Sequence, residues 1–291
     1  GFCSSHWKRD VMRRELRRVK HITRYNLAYG IHADEWQRMQ KNKPRAWVLA
    51  HPEVELLPAQ EQELARYSAR RQSGEPLPYI LGRWEFFGLD FAITPDVLIP
   101  RPETELLVET ALNWLKAHPE VTSAVDVGTG SGCIAVTLAK LVPKLHVTAI
   151  DSVASALAVA RQNAHRHQVA ERLTFVQADL LSSLEADSQC IHLLLANLPY
   201  IPTAALQILP IYGREPVLAL DGGADGLALI DRLLVQAQTR LAPDGLSLLE
   251  IEASQGAAVL EHARQYFPHA TMQVLPDLAG WDRLLVIQNG A

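Results

Sequence analysis

Residues 124–136 read AVDVGTGSGCIAV, an apolar run that breaks into alternating glycines and then resumes. This is the pattern of a buried strand, a tight loop and the first turn of a helix. Gly128, Gly130 and Gly132 give the loop access to positive φ and let a ligand approach the backbone closely. The spacing is G-x-G-x-G. It is neither the dinucleotide fingerprint G-x-G-x-x-G nor a phosphate-binding P-loop, because no Lys-Ser/Thr pair follows.

The next strand-like run, His146–Ile150, ends in Asp151, 23 residues beyond Gly128. An acid at that tip can accept both hydroxyls of a ribose. Loop and acid together predict a cofactor that carries a ribose and needs no pyrophosphate, and S-adenosylmethionine fits. The loop alone leaves nicotinamide enzymes as competitors, and a structural turn with a surface acid is the bland alternative. Asp179, in VQADLL, ends the third strand region; with Leu180 it can meet an adenine edge, or serve equally well as a helix N-cap.

Outward from this loop the chain alternates strands and helices. Strands are predicted at Ala124–Val127, His146–Ile150, Leu173–Val176, Ile191–Ala196, Leu246–Ile251, Thr271–Leu275 and Arg283–Ile287, with a helix over Val153–His167. Such alternation predicts an α/β, doubly wound, seven-stranded and mainly parallel sheet covered on both faces, with the last strand antiparallel at an edge. Upstream, residues 1–74 read as a helical domain, with apolar periodicity over residues 11–23 and a second helix from about Ala59 to Gln72. Residues 75–103 read as a linker, which starts within SGEPLPYILG (73–82) and contains a β-hairpin at RWEFFGLDFAITP. Residues 104–291 form the catalytic domain.

The 291 residues carry a net charge of −4 and contain no apolar run long enough to cross a bilayer. Cys3, Cys133 and Cys190 form no C-x-x-C pair, which argues against a zinc site and fits a reducing cytosol. A cytoplasmic, monomeric protein without a metal is expected, with Cys133 and Cys190 simply buried. Residues 1–48 hold twelve Lys and Arg against four Asp and Glu, so the remainder is acidic. The basic arm can meet RNA or an acidic protein face, or be a solvated helix surface.

A second stretch carries the chemistry. LLANLPYIP, residues 194–202, is a buried strand that ends in Asn197-Leu198-Pro199-Tyr200. In doubly wound sheets the carboxyl ends of the strands converge on one mouth, so this tip joins the glycine loop and Asp151. A planar NH2 group has a delocalised lone pair. Two acceptors that each take one N–H, the Asn197 side-chain oxygen and the Leu198 carbonyl, orient that nitrogen toward a methyl donor. Pro199 biases Leu198 toward extended backbone, and Tyr200 can stack on a flat acceptor. A β-turn with a buried Tyr is the alternative.

Glycine loop and tetrapeptide together resemble the class I methyltransferases of planar nitrogens, whose motif is [Asn/Asp/Ser]-Pro-Pro-[Tyr/Phe/Trp]; Leu198 replaces the middle proline. Asn-Leu-Pro-Tyr is also similar to the ribosomal RNA adenine-N6 dimethyltransferases, so the tetrapeptide does not separate adenine from amide acceptors. GEPLPYILGRWEFFGLDFAITPDVLIPRPETELLVE, with its run Pro100–Thr104, resembles the connector of the peptide chain release factor N5-glutamine methyltransferases. REPVLALDGGADGL (214–227), LAPDGLSLLEIEASQ (241–255) and DLAGWDRLLV (277–286) resemble later blocks of the same family. The resemblance runs in order over roughly Ala46 to Ile287.

That resemblance implies a helical N-terminal domain and a methyltransferase domain that clamp a class 1 release factor and methylate the glutamine of its Gly-Gly-Gln loop. It implies Asn197, Pro199 and Tyr200 as catalytic residues. Leu198, Arg101, Glu103 and Thr104 would join them around the substrate. Asp126, Gly128, Thr129, Gly130, Ser131, Gly132, Asp151, Asp179, Leu180 and Asn197 would line the cofactor. Glu252 stands where the family usually has Gly, which predicts strain at that strand end. A glutamine methyltransferase of a ribosomal protein is a close alternative, against which the run Pro100–Thr104 argues. An adenine-N6 methyltransferase of RNA or DNA would need a basic mouth, whereas the catalytic half is acidic; nucleic acid is therefore not the expected substrate.

Overall fold

The computed structural model describes residues 58–185 and 191–290. The helical periodicity read over residues 11–23, the basic arm, Cys3 and Cys190 lie outside the described residues. The chain divides into two compact units, residues 1–81 and 82–291.

In the first unit, helix α1 spans Pro58–Gln72 and a short helix, α2, spans Leu77–Leu81. The sequence reading made LPYIL part of a linker; it is a helical turn in which Leu77, Pro78, Tyr79 and Ile80 are buried. Pro78 falls in the first turn, where no backbone N–H is needed. Arg70, ion-paired to Glu75, donates to the carbonyls of Tyr79 and Ile80 at 3.3 Å each and so satisfies the end of α2.

The second unit opens with the predicted hairpin, β1 (Arg83–Phe86) and β2 (Leu89–Ala92), antiparallel and joined by Phe87 and Gly88. Both turn residues have positive φ, 52° and 77°, the geometry that matches the twist of a two-residue hairpin. A 3-10 turn at Pro102–Thr104 leads into α3 (Glu105–Ala117). Then follow β3 (Ser123–Val127), α4 (Cys133–Leu141), β4 (His146–Asp151), α5 (Ala154–Arg166), β5 (Leu173–Gln177) and β6 (Ile191–Ala196). The rest is α6 (Thr203–Leu206), α7 (Ala228–Ala237), β7 (Leu241–Glu250), α8 (Gly256–Tyr266), β8 (Thr271–Pro276) and β9 (Asp282–Gln288).

The sheet has seven strands in the order β5-β4-β3-β6-β7-β9-β8. Neighbours from β5 to β7 are parallel, and β9 is antiparallel to both β7 and β8. The last strand is antiparallel as expected, but it is not the edge. β9 buries Leu284–Ile287 continuously, while β8 alternates exposed and half-buried residues. The more apolar strand takes the inner position and β8 takes the edge. β7 begins five residues before the predicted Leu246, because Pro243-Asp244-Gly245 is a bulge. Asp244 has φ 57°, and the register with β6 shifts between Ile191 and Leu193.

The chain winds outward from β3 through β4 to β5, then returns to place β6 on the other side of β3. That reversal opens a crevice at the carboxyl ends of β3 and β6, where the glycine loop and the Asn197 tip both emerge. One buried side chain fixes the loop from below. Asn163, on α5 and fully buried, takes the Ala92 N–H on Oδ1 at 2.7 Å and gives Nδ2 to the carbonyls of Ala92 (3.0 Å) and Ser131 (2.9 Å). It ties hairpin to glycine loop. Replacing Asn163 with Ala should cost roughly 2–4 kcal/mol in urea unfolding, because backbone groups on both partners lose their bonds in a closed interior.

Candidate active site

A cavity of about 450 Å³ occupies the crevice. Among the residues expected at the site, Gly128, Thr129, Gly130, Ser131, Asp151, Asp179, Leu180, Asn197, Leu198, Pro199, Arg101 and Thr104 line it. Four expected residues do not. Glu103 is exposed outside it. Gly132 starts α4 with φ 77°, and a Cβ there would meet the Ala160 Cβ at 3.1 Å, so its role is close packing of α4 on α5. Asp126 is buried beneath the loop, and Tyr200 is turned into the core behind the tip.

The loop is held as a cradle. The N–H groups of Gly128 and Thr129 both bond the Ile150 carbonyl at 2.9 Å. The two oxygens of Asp151 accept one backbone N–H each, from Gly130 and Val153, both at 2.9 Å. The carboxylate is thereby fixed in orientation, and each oxygen keeps a lone pair for a ligand. Asp179 is ion-paired with Arg232 at the surface. Leu180, next to it, is buried with φ 51°, a strained conformation for a leucine at the cavity wall.

The Asn197 tip runs between two glycine walls. On one side a Cβ on Gly128 would lie 3.0 Å from the Leu198 Cδ2, so Leu198 packs directly on the glycine loop and is buried. On the other side stands DGGADG, residues 221–226. A Cβ on Gly222 would lie 2.8 Å from the Pro199 carbonyl oxygen, and one on Gly226 would lie 2.2 Å from that of Tyr200. Gly222 N–H bonds the Ile201 carbonyl at 2.8 Å, and the Asp221 Oδ1 takes the Thr203 hydroxyl at 2.6 Å. Gln255 Nε2 donates to the Tyr200 carbonyl at 3.0 Å, while its Oε1 accepts the Glu252 N–H at 2.9 Å. The strain expected at Glu252 is absent: its backbone is not in the left-handed region, and its carboxylate accepts the Ser254 N–H at 2.7 Å.

A residue that braces the wall without lining the cavity escaped the sequence reading. Glu215, buried, accepts the Ile99 N–H at 3.1 Å and the Arg101 guanidinium at 2.6 Å. It clips the connector ahead of α3 to the segment after α6. It stood unnoticed within REPVLALDGG.

Asn197 Nδ2 donates to the Thr104 hydroxyl at 2.9 Å. Glu250, at the end of β7 and 1% exposed, accepts the Tyr200 hydroxyl at 3.3 Å. Its position was legible in principle: Ala196 pairs with Leu249, so Asn197 and Glu250 leave the sheet side by side. Burial pushes the Glu250 carboxyl up to about 7, against the hydroxyls of Thr104 and Tyr200 and the Arg283 guanidinium, which favour its charged form. Burial and the charge of Glu250 push the Tyr200 phenol up as well. Asp126, 0% exposed, takes the Thr129 hydroxyl on Oδ2 at 2.6 Å. Its Oδ1 has no bond of normal geometry, although the Ala135 amide favours the ionised form, and burial raises the carboxyl to about 7. Cys133, expected to be buried, is only half-buried and touches the cavity.

A seven-stranded sheet of this order with a glycine loop at its crevice defines a class I methyltransferase. A family model described as the methyltransferase small domain matches residues 102–206, and one described as the PrmC N-terminal domain matches residues 38–82. A release factor glutamine methyltransferase of Moorella thermoacetica is 47% identical over 242 residues, covering 83% of this chain and 84% of that one. Its counterpart in Bordetella pertussis is 42% identical over 248 residues, covering 83% and 88%. The chain belongs to the release factor glutamine methyltransferase family. Among solved structures, the hMettl16 catalytic domain with a MAT2A 3′UTR hairpin superposes with a TM-score of 0.54 at 15% identity, over 78% of this chain and 80% of that one, a likeness of fold alone.

Two glycines separate close approach from backbone strain. Gly213 and Gly226 both have positive φ, 71° and 83°, but a Cβ on Gly213 meets nothing within 4 Å. Gly226→Ala should therefore destabilise more than Gly213→Ala by about 2 kcal/mol or more in parallel urea melts. Asp126 provides a pH test. Its raised pKa stabilises the fold while the unfolded chain also holds the proton, below about pH 4, and that contribution is lost as pH rises through about 7. Asp126→Asn does not titrate, so its stability relative to the native protein should improve by roughly 2–3 kcal/mol between pH 5 and pH 8.

Proposed function

We propose that this chain transfers the methyl group of S-adenosylmethionine to the side-chain amide nitrogen (N5) of the glutamine in the Gly-Gly-Gln motif of class 1 release factors. The observation that carries this reading is the single cavity shared by the glycine loop, the fixed Asp151 carboxylate and the Asn197 side chain. Family membership supplies the substrate class. Among the described residues no helix is long and apolar enough to cross a membrane, and the reading makes the protein a monomeric cytoplasmic enzyme.

The residues present fit the methyl donor. The cavity is of small-molecule size, its backbone approach is free of side chains at Gly128 and Gly130, and Asp151 presents two pre-oriented acceptors to a ribose. Asp179 and Leu180 border the region for the base. When bound, S-adenosylmethionine supplies an activated methyl group on a sulfonium.

The chain itself binds and orients the acceptor. Asn197 has already committed Nδ2 to Thr104, which leaves Oδ1 as an acceptor for one N–H of the glutamine amide. The tip is anchored through the Tyr200 and Ile201 carbonyls, and the Leu198 carbonyl takes the second N–H. With both protons held, the amide nitrogen loses planarity and directs its lone pair along one line. No strong base precedes transfer: the N–C bond would form as the donor's S–C bond breaks, the thioether would leave, and the nitrogen would shed one proton to water afterwards. Arg101, clipped by Glu215, and Pro199 close the wall around the glutamine.

Incubation of the protein with methyl-labelled cofactor, a class 1 release factor and structured RNA tests the reading. Label should appear in the release factor at the glutamine of Gly-Gly-Gln. Asn197→Ala should lose about 10²-fold or more in turnover, as for other lost transition-state hydrogen bonds, with little change in cofactor affinity. Label in the RNA alone, or full turnover in the variant, would overturn it.

A further inference from the structure

An asparagine amide is nearly symmetric in shape but opposite in chemistry at its two ends. With Oδ1 toward the acceptor nitrogen, Asn197 takes a proton donor. Flipped, it sets its own N–H groups against those of the glutamine. The Thr104 hydroxyl, 2% exposed and 2.9 Å from Nδ2, does not decide between the two alone, because a hydroxyl both donates and accepts.

The decision lies one group further back. The Thr104 hydroxyl also lies beside the buried Glu250 carboxylate and favours its charged form. An ionised carboxylate only accepts. While Glu250 is ionised, Thr104 spends its proton on it and the Thr104 oxygen can only accept, so Asn197 turns Nδ2 toward it. Tyr200 approaches the same carboxylate from the other end of the tetrapeptide and donates to Oε1 at 3.3 Å. Glu250 Oε2 is buried without a bond of normal geometry, the oxygen left for the Thr104 proton. Such contacts are often loose in a ligand-free site and tighten with substrate.

Burial raises the Glu250 carboxyl, and the neighbouring charges act on it in both directions. Arg283 favours its charge and Glu103 opposes it. Arg283 is itself fixed by Asp277, at 3.2 Å, and by the Ile251 carbonyl, at 3.3 Å. A buried carboxylate with one poorly served oxygen is expensive, and a neutral isostere commonly leaves a fold as stable or more so. Stability alone does not account for it.

We propose that Glu250 is a positioning residue for methyl transfer: through the Thr104 hydroxyl it locks the Asn197 amide with its oxygen facing the acceptor nitrogen. This rests on the reading of Asn197 as the amide acceptor. Glu250 does not touch the substrate. A glutamine at 250 can donate to Thr104, which releases the hydroxyl proton toward Asn197 and permits the flipped amide. Valine at 104 keeps the shape of threonine and breaks the chain.

The test uses the full-length protein with labelled cofactor and a class 1 release factor. It measures kcat, KM for the release factor, cofactor Kd by calorimetry and Tm for Glu250→Gln, Thr104→Val, Thr104→Ser, the Thr104→Val/Glu250→Gln double variant and Asn197→Ala. Glu250→Gln and Thr104→Val should each lower kcat about tenfold or more while KM and Kd stay within about threefold. Tm for Glu250→Gln should hold or rise. Thr104→Ser should restore kcat to within about threefold of native, and the double variant should be no slower than its slower parent, as for groups that act as one unit. The proposal is overturned if Thr104→Val and Glu250→Gln keep native kcat, if their losses multiply, or if the losses follow Tm. When Asn197→Ala is slow and Thr104→Val is not, the relay alone fails. When Asn197→Ala turns over normally, the reading of the acceptor fails and the relay falls with it.

Discussion

The peptide units from Leu198 to Ile201 run between two glycine-lined walls, and neither wall has room for a methyl group. Gly128 meets the Leu198 side chain on one side; Gly222 and Gly226 lie against the carbonyls of Pro199 and Tyr200 on the other. A strand that ends in solvent would leave such a tip free to move. Here its backbone is bonded through the carbonyls of Tyr200 and Ile201, so the side chain of Asn197 projects from a fixed base. Effects that depend on placing a nitrogen within a fraction of an ångström need that base first, since misplacement by about 1 Å can remove most of an orientational advantage. The cofactor loop has a matching foundation in Asn163, below, and Asp151, at its side. The site is assembled from backbone held rigid at short range, with few side chains left to choose their own rotamers.

The titratable groups around it follow one rule: carboxyl groups are buried behind neutral groups. Asp126 lies under Thr129 and Glu250 behind Thr104, and each carboxyl is raised to about 7 by the loss of water. Arg283 partly offsets the second, while the first has a hydroxyl and a distant amide only. Both sit at the carboxyl ends of parallel strands, where neighbouring strands deliver loops that must hold a ligand. Carboxylates raised by desolvation are common where a site's polar framework has to be set before substrate arrives.

The frame of this arrangement was legible in the residues. Continuous apolar runs located the strands, because strands covered on both faces have no polar side to interrupt them. Asn197, Asp151 and the glycine loop could be assigned to one mouth because each follows such a run. The supports were not legible. Asn163 looks like a polar residue on an amphipathic helix, and nothing local says that its partners are 32 and 71 residues away. DGGADG looks like a loop until its glycines are seen against the tip. Glu250 ends an apolar strand at the same edge of the sheet as Asn197, a signal of the kind that identified the others, but it is hidden in the alternation of LLEIE. The strand predicted from Leu246 begins at Leu241, because Pro243 and Gly245 lie in a bulge within β7 that no local pattern announces.

Why the anion stands two hydrogen bonds behind the acceptor follows from the chemistry of a sulfonium methyl group. A carboxylate oxygen is a far better nucleophile than an amide nitrogen, whose lone pair is shared with its carbonyl. Placed in line with the methyl group, Glu250 would be a second nucleophile for it. Placed behind Thr104, it cannot be alkylated, yet its charge still polarises the hydroxyl and, through it, the Asn197 amide. The group that meets the substrate is then a neutral oxygen of weak nucleophilicity, with its direction fixed and its accepting power supported from behind. A histidine in place of Asn197 would lack that combination, because it can be protonated.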